Sequence, residues 1–101
     1  MHVLAMEISL HLPYVRSLKG KRAVRQSLVA KLVKYFSLSV RETDLQEISQ
    51  KLVLAAAFVC LTPGEGEEYA QQIEDFLYRF SLEEACEVQS LVWDILAVFN
   101  A

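Results

Sequence analysis

Apolar and polar residues alternate from His2 to Leu12: Leu4, Met6, Ile8, Leu10 and Leu12 share one side, and His2, Glu7, Ser9 and His11 are assigned to the other. A period of two predicts a half-buried strand, which Pro13 ends because proline cannot donate to a ladder. The period then changes. In residues 14–36, Val24, Leu28, Leu32, Tyr35 and Phe36 recur at helical spacing, so a loop and one amphipathic helix are expected, with Ser17 as the N-cap. Ser37 to Arg41 reads as a short strand with Leu38 and Val40 inward, and Glu42 to Ser49 as a polar bend.

Gln50 to Leu61 is apolar on both sides. Leu52, Leu54, Ala56, Phe58 and Cys60 form one face, and Val53, Ala55, Ala57, Val59 and Leu61 the other. Such a strand is normally central and covered twice. Thr62-Pro63-Gly64-Glu65 has the chemistry of a helix start, and Tyr69, Ile73, Phe76, Leu77 and Phe80 supply the stripe of a second helix. Cys86 to Phe99 fits either period. A strand to about Leu96 is preferred, with Trp93 as a core side chain; Trp93 and Tyr14 are also candidate contact anchors.

The order strand, helix, strand, strand, helix, strand predicts an α+β, ferredoxin-like βαββαβ domain over residues 1–101. Its four-stranded antiparallel sheet would carry both helices on one face. The second face of the third strand then lacks a cover. A homodimer packed sheet on sheet is the simplest expectation, and a 53% hydrophobic content points the same way.

The net charge of -3 conceals a division along the chain. Between Ile8 and Arg41 every charged residue is a base: Arg16, Lys19, Lys21, Arg22, Arg25, Lys31, Lys34 and Arg41. From Glu42 onward only Lys51 and Arg79 are basic among many acids. Arg16, Lys19, Lys21, Arg22 and Arg25 gather at the start of the first helix. Cations there oppose the helix dipole by about 0.3–1 kcal/mol each. Phosphate is the natural ligand for such a cluster, so these five are the candidate nucleic-acid-binding residues. The same residues could instead form a solvated face or pair internally with the acidic half.

Other chemistries find little footing. The third strand lacks the displayed aromatics of a base-stacking sheet, so nucleic acid would be held through its phosphates. His2 and His11 share no metal-ligand spacing with the cysteines or acids, and no cofactor loop or nucleophile elbow occurs. Acylphosphatase chemistry on this fold needs an asparagine, and the one asparagine is Asn100. A non-enzymatic protein without cofactor or metal is expected. Cys60 and Cys86 read as free thiols of a cytoplasmic protein, and the longest apolar run, Leu52 to Leu61, is too short to span a membrane.

Several stretches resemble the YlxP-like family, small bacterial proteins assigned to a domain of unknown function. The opening Met-His-Val-Leu-Ala-Met-Glu-Ile-Ser-Leu-His-Leu-Pro is similar to the family start. Arg16-Ser17-Leu18-Lys19-Gly20-Lys21-Arg22 resembles its most specific motif, and Phe36 to Val40 with Glu42, Asp44 and Gln46 resembles the segment after the first helix. The family usually has glutamate where Gly20 stands, and often histidine and tryptophan where Leu45 and Ser49 stand. The resemblance implies a ferredoxin-like fold and no established chemistry. The family's genes often neighbour translation and ribosome-maturation genes, which makes RNA or the ribosome the implied partner.

Overall fold

A computed structural model describes residues 1–99; Asn100 lies outside them. Six elements follow in order: β1 (His2–His11), α1 (Leu18–Phe36), β2 (Ser39–Asp44), β3 (Lys51–Cys60), α2 (Pro63–Glu83) and β4 (Glu87–Ala97). The sheet order is β2-β3-β1-β4, with every neighbouring pair antiparallel. This is the ferredoxin-like α+β arrangement that the alternating periods anticipate.

Capping chemistry sets the helix ends. Ser17 is extended, and its Oγ accepts a bond from the Gly20 N–H at 3.0 Å. At the other end Ser37 turns left-handed, with φ 54°. The Ser37 N–H then donates to the Val33 carbonyl and the Leu38 N–H to that of Leu32. That closing turn uses Ser37 and Leu38, so β2 starts later than the pattern suggests and runs on to Asp44. Leu38 is buried and Val40 half-buried, as expected. Thr62 Oγ1 accepts from the Glu65 N–H, and Glu65 Oε1 accepts from the Leu61 N–H, one residue before the cap. Gly66 lets α2 lie close on the sheet: an added Cβ would stand 2.8 Å from Ile95 Cδ1 and 3.0 Å from Cys60 Sγ.

Both helices pack on one face. Leu4, Ile8, Leu52 and Leu54 from the sheet meet Leu28, Leu32, Ile73 and Leu77 from the helices in one cluster, each of them 0% exposed. Tyr69 ties the helices together, because its hydroxyl donates to the Phe36 carbonyl while its ring stacks on Phe58 at 4.1 Å. Burial raises the Tyr69 pKa, with Glu65 adding to it, so the hydroxyl keeps the proton it donates.

On the other face, strand register aligns Val59, Val3 and Leu96 in one row across β3, β1 and β4. Ala57, Ala5 and Asp94 form the next, with Ser39 beside Ala57 on β2. Ala55, Glu7 and Val92 form a third, with Arg41 beside Ala55. Toward the His11 end the face turns polar, with Lys51 bonded to Gln89 and His11 Nδ1 3.6 Å from Glu87. Among the described residues no helix lies over this face: Val59 is 61% and Val92 62% exposed, although Val53, on the same face near the bend, is buried.

Three expectations need correction. His2 and His11 do not share a face, because an odd separation in a strand places them on opposite sides; His2 aligns with Cys60 and Ala97 toward the helices. Trp93 is on the helix side but 39% exposed, since β4 is an edge strand that α2 covers only in part. A register shift between Ser9 and Leu10 leaves Gln89 without a partner, and this bulge lets Val88 and Leu91 both face inward. Leu61 lies beyond the end of β3 and is 85% exposed.

Candidate functional site

The start of α1 is the place where the sequence concentrates positive charge. The structure divides the five candidate residues. Arg16, Lys19 and Arg22 are exposed, and among the described residues none of them makes an ion pair. Lys21 is 1% exposed, and Arg25 is partly covered and bound to Glu42. Lys21 therefore cannot present its charge to a phosphate, and Arg25 does so only in part. A solvated face describes the first three residues, and internal pairing describes the other two.

Lys21 sits where the helix turns its core stripe. It precedes Val24 by three residues and Leu28 by seven, so helical geometry points its stem inward. Its ammonium lies 2.8 Å from the Leu45 carbonyl, 2.9 Å from that of Ile48 and 3.4 Å from that of Gln46. It also stands 2.6 Å from Glu42 Oε2. That contact is an ion pair rather than an aligned hydrogen bond, because the ammonium donors are directed at the carbonyls and Oε2 accepts no aligned bond. Glu42 Oε1 accepts from Arg25 Nη1 at 2.8 Å. A buried carboxylate is thus held between two cations, and the bend after β2 is fastened to α1.

Leu45 has φ 51°, a left-handed backbone that helps turn the bend. The bend carbonyls are satisfied by Lys21, joined at Leu45 and Ile48 by backbone N–H donors of the bend, as buried acceptors must be. Glu42 was not among the sequence candidates. The signal available for it is position: it is the first acid after a long run containing only bases.

Beside this cluster, Arg25, Gln26, Val29 and Ala30 from α1 and Val40, Arg41 and Glu42 from β2 line an open groove of about 460 Å³. It holds no nucleophile or histidine. Cys60 and Cys86 are both buried free thiols. Burial pushes the Cys86 thiol up, with Glu84 and then Glu87 adding to the shift, so the thiolate nucleophile is disfavoured. Among the described residues no group of three or more His, Cys, Asp or Glu side chains could hold a metal ion, and no helix is long and apolar enough to cross a membrane.

A family model described as a protein of unknown function (DUF503) matches residues 3–90. The chain belongs to the DUF503 family. No curated protein matches it. The DUF503 match contains the whole Lys21–Glu42–Arg25 cluster and the exposed Arg16, Lys19 and Arg22. The family's description carries no activity, so function must be argued from the surfaces themselves.

Removing Lys21 should be costly in a way that removing a surface lysine is not. Lys21→Met leaves Glu42 Oε2 without its cation and takes the ammonium from three bend carbonyls, and breaking a buried pair from one side costs about 3–5 kcal/mol. Urea unfolding should place Lys21→Met that far below the native protein and Lys19→Met within about 0.5 kcal/mol of it. Equal stability of the two variants would show that Lys21 does not hold the bend.

Proposed function

We propose that this DUF503 protein is a binding module rather than an enzyme, and that it acts as a homodimer assembled through the open face of its sheet. One observation carries this reading. Val3, Ala5, Ala55, Ala57, Val59 and Leu96 adjoin as an apolar surface on the face opposite both helices, with Val92 set apart from them by Glu7 and Asp94. Water contact with that surface is unfavourable at roughly 25 cal/mol per Å². Patches of this kind mark docking surfaces on soluble proteins. The three small alanines allow a second layer to approach closely. The motifs around Arg16 to Arg22 further support placing the chain among YlxP-like proteins of the bacterial cytoplasm.

A second reading concerns a different surface. Arg16, Lys19 and Arg22 stand exposed at the positive end of the α1 dipole, with no carboxylate partner among the described residues and no acid in the first turn. Three cations placed against a dipole lower the stability of the free protein. A phosphate-bearing partner, RNA or a ribosomal assembly, would relieve that repulsion. We propose it as the partner of this end, held through Arg16, Lys19 and Arg22, with Arg25 contributing only from its exposed side.

Each surface has its own test. Sedimentation at micromolar protein should give a dimer, and Ala57→Glu should convert it to a folded monomer; a native monomer that Ala57→Glu leaves unchanged refutes self-association. Labelled ribosomal RNA should bind with affinity that falls as salt rises, with a slope worth about two to three phosphates. Lys19→Glu with Arg22→Glu should abolish this binding while leaving the dimer intact. Salt-independent binding, or full binding by the double variant, removes the RNA reading.

A further inference from the structure

Two identical sheets stacked face to face are related by a two-fold axis lying in the plane between them. When the two sheets pack with their strands aligned, that axis runs along the strands or across them, and the two choices bring different residues together. An axis along the strands reverses strand order between copies, so β2 lies over β4 of the second copy and β3 over its β1. An axis across the strands lays every strand over its own counterpart.

The charges on the open face distinguish the two. Arg41 sits on the β2 edge, in the row of Ala55, Glu7 and Val92. Asp94 sits on the opposite edge, on β4, one row away beside Ala5. Glu7 is exposed near the centre of the apolar surface. With the axis across the strands, Arg41 would face β2, Asp94 would face β4 and Glu7 would face β1, so each charge approaches its own kind. With the axis along the strands, Arg41 falls over β4 of the second copy. There it lies beside the other copy's Asp94 and within side-chain reach of its Glu7. Like charges brought together on docking cost several kcal/mol, whereas opposite charges fix the register.

Resting on the self-association reading above, we infer that two copies of this chain pack sheet on sheet about a two-fold axis parallel to the strands. Arg41 of each copy then docks against Asp94 and Glu7 of the other. The small side chains of Ala5, Ala55 and Ala57 leave room for the arginine stem above the sheet. Four strands about 4.8 Å apart, three of them about 33 Å long and β2 about 20 Å, offer a face of roughly 570 Å² per copy. Full overlap buries roughly 1,140 Å², close to the lower bound for a specific interface, which makes the charge pairs decisive for register.

The arrangement also has a consequence for α1. The first strand ends at His11, and α1 begins at that same end of the sheet. An axis along the strands keeps both copies pointing the same way. The two sets of Arg16, Lys19 and Arg22 then lie at one end of the dimer, where a single extended polyanion could meet both. An axis across the strands would send them to opposite ends.

A charge exchange tests the geometry. Sedimentation equilibrium is run on the full chain, with circular dichroism confirming that each variant is folded. Arg41→Glu alone and Asp94→Arg alone should each weaken the dimer by roughly tenfold or more. The double variant carrying both should bind more tightly than either single one, because each new acid again faces a new base, but stay weaker than the native dimer, because Glu7 of the other copy then meets an acid. Single variants that dimerise like the native chain, or a double variant weaker than either single one, overturn this arrangement. A dimer strengthened by the neutral Arg41→Gln would show the axis running across the strands, where each Arg41 approaches its own counterpart. In all three cases self-association survives if Ala57→Glu still dissociates the dimer. A native monomer that ignores Ala57→Glu overturns self-association and this arrangement together.

Discussion

Two helices cover only one face of a four-stranded sheet, and most of the structure follows from that limit. On the helix side, Leu4, Ile8 and Leu54 are fully buried and the strands read as apolar. On the other side the edge strands carry polar residues such as Ser39, Arg41, Ser90 and Asp94, as a solvated face should. The two inner strands carry few, Glu7 and Ser9 among them. Val3, Ala5, Ala55, Ala57 and Val59 keep the centre of that face apolar. One sheet thus has a core face completed by the helices and a second face that the described elements leave open.

The same economy of covering explains the buried ion cluster. The bend between β2 and β3 turns its carbonyls toward the start of α1, and only those of Leu45 and Ile48 also take a backbone N–H, from Ile48 and Lys51. Lys21 answers three of them from the helix, and Glu42, shared with Arg25, balances the buried charge. A cation of the apparently basic helix is in this way a structural group. Its removal from the surface leaves Arg16, Lys19 and Arg22 as a smaller cluster at one corner of an acidic protein. Dimerisation about an axis along the strands would restore its size by bringing two corners to one end.

Much of the architecture was legible because it rests on periods of two and 3.6. The alternation in β1, the doubly apolar β3, the Thr62-Pro63 start of α2 and the stripe of Tyr69 to Phe80 each specify an element locally, and the element order then specifies the sheet. The details that escaped depend on contacts distant in sequence. Lys21 looks like one more surface base until the bend from Leu45 to Ile48 folds over it. Glu42 looks like the start of a loop until the two bases draw it into β2. The Gln89 bulge decides which β4 side chains face α2, and alternation alone cannot locate an unpaired residue. Trp93 was expected in the core because large aromatics usually are, yet an edge strand offers it cover on one side only. The uncovered face was readable from Val53 to Val59, whereas its charge pattern needed the register to place Arg41, Glu7 and Asp94.

The central claim is that the open sheet face, not the groove beside α1, is where this protein meets a second copy of itself. Nuclear magnetic resonance through a dilution series tests it at the level of single residues. If the face is the contact, the resonances of Val3, Ala57, Val59 and Val92 shift together as the protein is diluted, while those of Gln26 and Ala30 on the outside of α1 stay fixed. Shifts confined to Gln26, Ala30 and Val40, or resonances that do not move at any concentration, would contradict it.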